Sequence, residues 1–391
     1  MNTEWKKVQL KDCVTILGDG LHGTPKYTED GEYAFINGNN LVDGSIKIKP
    51  DTKRVSKEEY EKYKKPLSDR TVLVSINGTL GNVAIYNNEK IILGKSACYF
   101  NVIDEVDKLF IKYIVSSPLF KDYLNVSATG TTIKNISLKQ MREFDFFLPP
   151  IKLQQKIASI LSSLDEKIAV NNKINNNLKE QARIIFEQEI LAKEELPIGW
   201  VESNLLGIAD YLNGLAMQKF RPKEGEAGYP VLKIKELRQG FCDKESELCS
   251  KNIKPEYIIH DGDVIFSWSG SLLVDFWCGG TCGLNQHLFK VSSNKYDKWF
   301  YYAWTKYHLN KFIAIAADMA TTMGHIKREE LVKAKVLIPD SADYDRISLL
   351  LRPIYDKIIN TRIENRKLGN LRDALLPKLM SGEIDIESLE L

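Results

Sequence analysis

A repeat offset of about 190 residues runs through the whole 391-residue chain and limits its fold more than any local pattern does. "ATGTTIKNISLKQMREFDFFLPP" at 128–150 lies over "ATTMGHIKREELVKAKVLIPD" at 320–340, so that Thr131 falls on Thr321, Ile136 on Ile326 and Pro149 on Pro339. Upstream, "DRTVLVSINGTLGNVAIYNNEKIILGKSACYFNV" (69–102) matches "DGDVIFSWSGSLLVDFWCGGTCGLNQHLFKV" (261–291). Earlier still, "YAFINGNNLVDGSI" (33–46) parallels "YPVLKIKELRQGFC" (229–242), and "EWKKVQL" at Glu4 parallels "GWVESNL" at Gly199. The offset drifts from about 195 to 190, which small loop insertions and deletions explain. Such a chain folds as two copies of one unit. Short β-rich runs such as "TVLVSI" and "DVIFSW", bounded by Gly and Asn, predict strands, and a long apolar-periodic segment after each copy predicts a helix. The expected class is an α/β (α+β) tandem repeat of pseudo-two-fold character: mixed α/β domains at 1–148 and 193–338, and helical regions at 149–192 and 339–391.

In "LPPIKLQQKIASILSSLDEKIAVNNKINNNL" the heptad a positions are Ile157, Leu164, Asn171, Leu178 and Ile185, with d at Ile160, Lys167, Ile174, Gln181 and Gln188. Leu161 and Ile168 widen the apolar stripe at e. The second copy has a positions at Ile347, Ile354, Thr361, Leu368 and Leu375. Both series place one polar residue, Asn171 or Thr361, among apolar ones, a device that costs stability but sets register. The shared spacing predicts that the helices pair as a coiled coil over roughly 30–35 residues, about 50 Å. A two-fold between the repeats makes that pairing antiparallel and puts one globular unit at each end of a rod. The alternative is that each helix packs on its own domain. Pro353 predicts a bend or restart in the second helix. Pro377 marks that helix's end, and "LPIGW" (196–200) is the linker after the first.

Composition narrows the class. With 43% hydrophobic and 27% charged residues the chain is globular, and no run approaches the roughly 18 apolar residues of a membrane span. "MNTEWKKVQL" has no signal-peptide core, so the expected compartment is cytoplasmic, with no membrane partner. A net charge of +2 means that any nucleic-acid surface is a local patch. The segment Ile46–Lys65, eight basic and four acidic residues, is either a solvated helix face or such a patch. Within it Ser56 and Glu59 have capping-box spacing. The six cysteines read as reduced thiols. Cys278, Cys282 and His287 fit no common zinc spacing, so no metal site is expected.

Two similar, non-identical units at fixed separation suit a ligand with two dissimilar contact points along a rod, and DNA half-sites are such a ligand. The stretch "LPPIKLQQKIASILSSLDEKIAVNNKINNNL" resembles the central conserved region of the specificity subunits of type I restriction–modification systems. "NRKLGNLRDALLPKLMSGEIDI" resembles their distal conserved region, and "DRTVLVSINGTLGNVAI" a segment of their target recognition domains. The resemblance covers essentially the whole chain. It implies two target recognition domains separated by an antiparallel helical pair, each reading one half of an asymmetric bipartite site in double-stranded DNA. It implies helices that space the domains and dock two methyltransferase (modification) subunits, with restriction/translocase subunits in the larger complex. S-adenosylmethionine, ATP and Mg then belong to those partners and not to this chain. The sequence departs from the pattern at "DSADYDRISLLLRP", where the "PPxxxQ" form of the first copy is lost.

Base edges are read by paired donors and acceptors: Arg or Lys on guanine, Asn or Gln on adenine. Gly-, Ser- and Thr-rich loops let backbone approach phosphates. In the first copy the DNA-facing candidates are His22, Thr24, Lys26 and Tyr27; Asn37, Asn39 and Asn40; Ser75, Asn77 and Thr79; and Thr129, Thr131, Thr132 and Lys134. In the second they are Lys219 and Arg221; Lys233, Lys235 and Arg238; Ser267, Trp268, Ser269 and Ser271; Gln286 and His287; and Thr321, Thr322 and His325. Asn and Gly in such turns also serve left-handed backbone, and Trp268 also reads as core. The copies differ at nearly every polar position, which predicts different half-sites.

Catalytic signatures are missing. "FLPPIK" has no Asn or Asp before its prolines, so it is not an amino-methyltransferase loop, and there is no GxxxxGK[ST]. "GDGLHG" lacks the strand, helix and downstream acid of a dinucleotide site. The chain reads as a non-enzyme. The competing reading is a coiled-coil protein–protein adaptor with no DNA role.

Overall fold

The computed structural model describes residues 5–130, 133–193, 195–318 and 324–386. The chain divides into two folding units, Met1–Glu166 with Gly369–Leu391, and Lys167–Leu368. Each long helix contributes one segment to each unit.

The first unit is built on a four-stranded antiparallel sheet, in the order Val14–Asp19, Ala97–Val102, Thr71–Ser75, Val83–Ile85. A mixed sheet sets Tyr33–Ile36 parallel to Ile91–Leu93 and antiparallel to Arg54–Val55. Lys6–Gln9 pairs with Asp145–Leu148 and so ties the start of the globular segment to its end. The second unit repeats the plan. Its four-stranded order is Asp210–Asn213, Leu288–Ser292, Val264–Ser267, Leu273–Phe276. Tyr229–Leu232 runs parallel to Cys282–Leu284, and Val201–Asn204 closes on Lys335–Ile338. The predicted strands "TVLVSI" and "DVIFSW" are the third strands of these sheets. Both are buried on both faces, which is why they read as continuous apolar runs.

The copies differ where proline intervenes. The first unit has two short helices, Lys108–Ile114 and Pro118–Ser127, the latter capped by the Ser117 hydroxyl with Pro118 in its first turn. The second unit has one continuous helix, Lys298–Asp318. Near Ile46–Lys65 the helix Lys57–Tyr63 forms, and the Ser56 hydroxyl accepts from Glu59 N at 3.2 Å. The reciprocal half of the expected capping box is absent, because the Glu59 carboxylate accepts from Lys26 N instead.

The long helices span Ile151–Phe186 and Ser341–Met380. In the second unit the Asn171 side-chain amide donates to Glu364 (3.0 Å) and Asn365 (2.8 Å), while Arg346 pairs with Glu189 at 2.9 Å. Rising numbers on one helix meet falling numbers on the other, so the pairing is antiparallel, as expected. The first unit shows the same sense: Asp165 binds Arg372, and Ile157 and Leu161 share a core with Leu376 and Leu379. The helices also pack on their unit's own sheet-and-helix core, so the two packing alternatives coexist.

The predicted seam needs one correction. The a positions Ile157, Asn171, Ile347 and Thr361 are buried, and Leu164, Leu178, Ile185, Ile354, Leu368 and Leu375 are partly so. At d, Lys167, Gln181 and Gln188 are exposed. The second buried row is e: Leu161, Asn175 and Ala182 on one helix, Leu351, Ile358 and Leu379 on the other. The seam thus keeps row a, and its second row moves by one position, from d to e. Asn171 meets Asn365 rather than Thr361, whose hydroxyl donates to its own helix at Lys357 O. The same register sets Thr361 opposite Asn175. Asn175 is buried, and its Oδ1 has no hydrogen-bond partner among the described residues. Asn175→Leu is therefore expected to stabilise the chain by about 1 kcal/mol, since it removes an unsatisfied buried acceptor. A lower Tm on thermal unfolding would contradict this.

Proline does not interrupt the second helix. It is continuous through Pro353, with no restart. The ring removes the bond to the Leu349 carbonyl, but both residues lie on the solvent face, where water takes that acceptor. Pro377 sits within the last turn, and Gly382, at φ +70°, follows the end at Met380.

The lost "PPxxxQ" pattern also has a structural answer. In the first copy buried Gln154 accepts from Asp107 N (2.9 Å) and donates to Pro149 O (2.8 Å), fastening the helix start to the domain. In the second copy Tyr344 stands at the Gln154 position, and its hydroxyl accepts from Asp297 N, the counterpart of Asp107 N, at 2.8 Å. The anchor is conserved in role though not in residue type.

Candidate nucleic-acid interface

In the first unit, loops far apart in sequence converge where Thr71–Ser75 ends. Leu21 N donates to Leu93 O (2.7 Å), and Gly94 N to Ile36 O (2.8 Å). Ile76 N donates to Ser96 O, Ile136 N to Ile76 O and Gly78 N to Lys134 O. Side chains lock the cluster further. The Ser96 hydroxyl accepts from Gly38 N and donates to Asn37 Oδ1, both at 2.9 Å. Fully buried Ser75 accepts from Asn82 N (2.8 Å), and Asn77 donates to Asn135 Oδ1 (3.1 Å). The loops touch so closely that a Cβ on Gly20 would stand 2.2 Å from Leu93 O, and one on Gly94 2.4 Å from Asn37 Oδ1. Small residues here are a requirement of backbone contact.

The second unit has the same frame with other side chains. Leu215 N donates to Leu284 O, Asn285 N to Leu232 O, Trp268 N to His287 O, Ile326 N to Trp268 O and Gly270 N to Gly324 O. Each bond has its counterpart above. Gly214 repeats Gly20, with a Cβ 2.2 Å from Asn285 O. On this frame Trp268 packs against His287 and His325, with ring centroids 6.2 and 6.3 Å apart, and its indole N–H donates to Asn213 (3.0 Å). Ser269 meets His287 Nδ1 at 3.0 Å. The result is an aromatic, imidazole-rich platform where the first unit offers amides and hydroxyls.

Two rigid loop clusters of one architecture and different chemistry are what a two-part recognition protein needs. A family model described as "Type I restriction modification DNA specificity domain" matches residues 2–180 and again 197–367. The chain belongs to this family. It is similar to the type I restriction enzyme MjaIX specificity subunit of Methanocaldococcus jannaschii, 24% identical over 99% of this chain and 95% of that one. The EcoKI specificity subunit of Escherichia coli is also 24% identical, over 92% and 84%. Among solved structures, the type I restriction–modification S subunit from M. genitalium shares the fold, with a TM-score of 0.61 at 18% identity, covering 97% of this chain and 96% of that one.

In this member of the DNA specificity family the candidate side chains differ in how far they are already engaged. His22 is exposed but bound to Asp19 at 2.7 Å, and Thr24 is exposed on the same loop. Lys26 and Tyr27 leave the cluster: Lys26 N bonds to Glu59, and the Tyr27 ring meets Phe35 edge-on. Asn39 is exposed, whereas Asn40 is buried, accepting from Asn37 N and donating to Lys47 O, so it shapes the turn and does not reach a ligand. Ser75 and Ser267 are fully buried and Ser269 nearly so; these too are supports. Thr79, Lys134 and Ser271 are exposed, and Thr129 bridges to Asn135. In the second unit Lys219, Arg221 and Arg238 are exposed, but Lys233 is paired with Glu247 (2.5 Å) and Lys235 with Asp243 (2.9 Å). Lys235 holds the Asp243 carboxyl down to about 2, so that partner stays ionised. Gln286 lies beside His287, its Nε2 at 3.4 Å from the ring. Thr131, Thr132, Thr321 and Thr322 lie outside the described residues.

Sequence reading missed Lys95, Ser96, Asn82, Asn135, Asn213 and Asn285. Five of them sit in these hydrogen-bonded loops and Asn213 reaches them through Trp268. The available signal was the repeat itself: the turn "GKSA" falls on "NQHL", where Gln286 and His287 were already candidates. Cys278 and His287 do not converge on a metal, since the buried Cys278 thiol lies against the Phe276 and Ile359 carbonyls. Among the described residues no helix is long and apolar enough to cross a membrane.

Proposed function

We propose that the chain is the non-catalytic, sequence-reading subunit of a type I restriction–modification complex, with 1–148 and 193–338 as target recognition domains and 149–192 and 339–391 as the helical regions. Each domain reads one half of an asymmetric bipartite site in double-stranded DNA. The observation that carries this reading is the pair of loop clusters, equal in backbone hydrogen bonding and unequal in side chains: Asn77 stands where the other unit has Ser269, Ser96 where it has His287, and Asn135 where it has His325. The helices act as spacer and as docking platform for two methyltransferase subunits, with restriction/translocase subunits joining the larger complex. S-adenosylmethionine, ATP and Mg are handled by those partners. A coiled-coil adaptor without DNA readout is not favoured, because it leaves the family match and the differing clusters without a purpose.

Mapping methylated bases in DNA from cells carrying the chain with its methyltransferase subunits tests this directly. The expected result is one split, asymmetric sequence. Scattered methylation, or none, would reject the reading. The spacer role has its own test: a heptad inserted into both helices adds about 10 Å of helix, so the unspecified stretch between half-sites should lengthen by about three base pairs. An unchanged stretch would show that the helices do not set it.

A further inference from the structure

We infer that the turn before the second strand of each four-stranded sheet carries the base-discriminating residue of that unit: Lys95 for a guanine in one half-site and Gln286 for an adenine in the other. The inference rests on the DNA-reading function proposed above and adds what each unit selects. Four observations support it.

The two residues occupy one structural position. Gly94 N and Asn285 N donate to Ile36 O and Leu232 O, and Ala97 N and Leu288 N return to Gly94 O and Asn285 O. Ser96 O and His287 O accept from Ile76 N and Trp268 N, so both turns are closed by the same bonds and carry Lys95 and Gln286 at the same place. Next, the following residue is turned inward in both units: Ser96 on Gly38 N and Asn37, and His287 on Ser269. That holds the turn still and leaves its neighbour to face outward. Third, Lys95 is exposed, and among the described residues nothing pairs with its ammonium, unlike Lys233 and Lys235 with their carboxylates. Its backbone N is held by Leu21 O at 2.9 Å. Fourth, Gly20 and Gly214 let the adjoining loop press against this turn, so its backbone has little room to move.

Chemistry then separates the two. Lysine brings donors alone, which fit the O6 and N7 acceptors of guanine in the major groove. Glutamine brings one donor and one acceptor on a planar group, which fit N7 and N6–H of adenine.

The test exchanges the two residues in the assembled complex and maps methylated sites. Lys95→Gln is expected to change the preferred base pair at one position of one half-site from G·C toward A·T, by roughly 5- to 150-fold in relative preference. The other half-site should stay as in wild type. Gln286→Lys should do the converse in the opposite half. Lys95 is exposed and Gln286 half-buried, neither in a hydrophobic core, so complex assembly, checked by gel filtration, should be unaffected. A Lys95→Gln complex that marks the wild-type sequence more weakly, with a shallower salt dependence, would show that Lys95 neutralises a phosphate, and would overturn the inference while leaving the function intact. Unchanged marking by both variants would overturn it equally. A wild-type complex that marks no defined sequence would sink the underlying function and this inference with it.

Discussion

Gly20→Ala is expected to abolish recognition through the first unit. The new methyl would meet the Leu93 carbonyl at 2.2 Å and the Gly94 carbonyl at 2.5 Å, and both are backbone atoms that no rotamer change can move aside. Relief requires the 19–24 loop to lift, which breaks Leu21 N to Leu93 O and Lys95 N to Leu21 O. Overpacking together with two lost hydrogen bonds costs about 2–4 kcal/mol. Because the same contact positions the 94–96 turn, the loss of specific binding should be roughly 100-fold or more. The check is methylation mapping alongside equilibrium binding of the complex to duplexes bearing the mapped site. Gly23→Ala is the control: nothing lies within 4 Å of a Cβ there, so it should behave as wild type. A Gly20→Ala complex with near-normal affinity would show that this loop cluster does not face DNA.

The second large effect is expected at Asp165. This carboxylate accepts from Lys112 (2.6 Å), Tyr113 (2.7 Å) and Arg372 (2.8 Å), and so joins the first long helix, the end of the second and the helix Lys108–Ile114. Asp165→Ala leaves the largely buried Lys112 ammonium without a counter-charge and Arg372 with Asp373 alone, a loss of about 3 kcal/mol. For a unit of this size that lowers Tm by about 6–12 °C in thermal unfolding. Asp165→Asn keeps the shape and should fall between. A Tm within a degree of wild type would show that the cluster is solvated and carries little. The pH dependence has a definite sign. Burial pushes the Asp165 carboxyl up, but Lys112 and the hydrogen bonds from Arg372, Lys112 and Tyr113 pull it down further, to a net value below the usual one. A lowered folded-state value contributes stability above the ordinary carboxylate range and loses it as pH falls through the folded value. The gap between wild type and Asp165→Ala should therefore hold from pH 5 to 8 and close below about pH 4.

Much of the fold was legible in the chain. Self-similarity revealed two units, and the shared heptads marked which helices pair, although the buried polar residues Asn171 and Thr361 do not face each other. The loops that would be rich in readable side chains were also visible, because Gly, Asn and Ser cluster there. What could not be read was which side chains are already engaged. Asn40, Ser75 and Ser267 look like readers in one dimension, but they turn inward to bond backbone groups two to seven residues away once the turns fold. Lys233 and Lys235 look like free cations until Glu247 and Asp243 come round to them. Pro353 looks like a break until the solvent exposure of its face is known.

By itself the sequence determined the repeat, the strand and helix types and the antiparallel sense of the helix pair, since these follow from periodicity and from the symmetry of duplication. The tertiary structure alone decided the moved second row of the seam, the Tyr344 replacement for Gln154 and the hydrogen bonds that fix the turns carrying Lys95 and Gln286. The physical reason is that burial and hydrogen-bond partnership are properties of contacts between distant segments. Local pattern records which side chains are able to bind, and the fold determines which of them still have an empty donor or acceptor to offer.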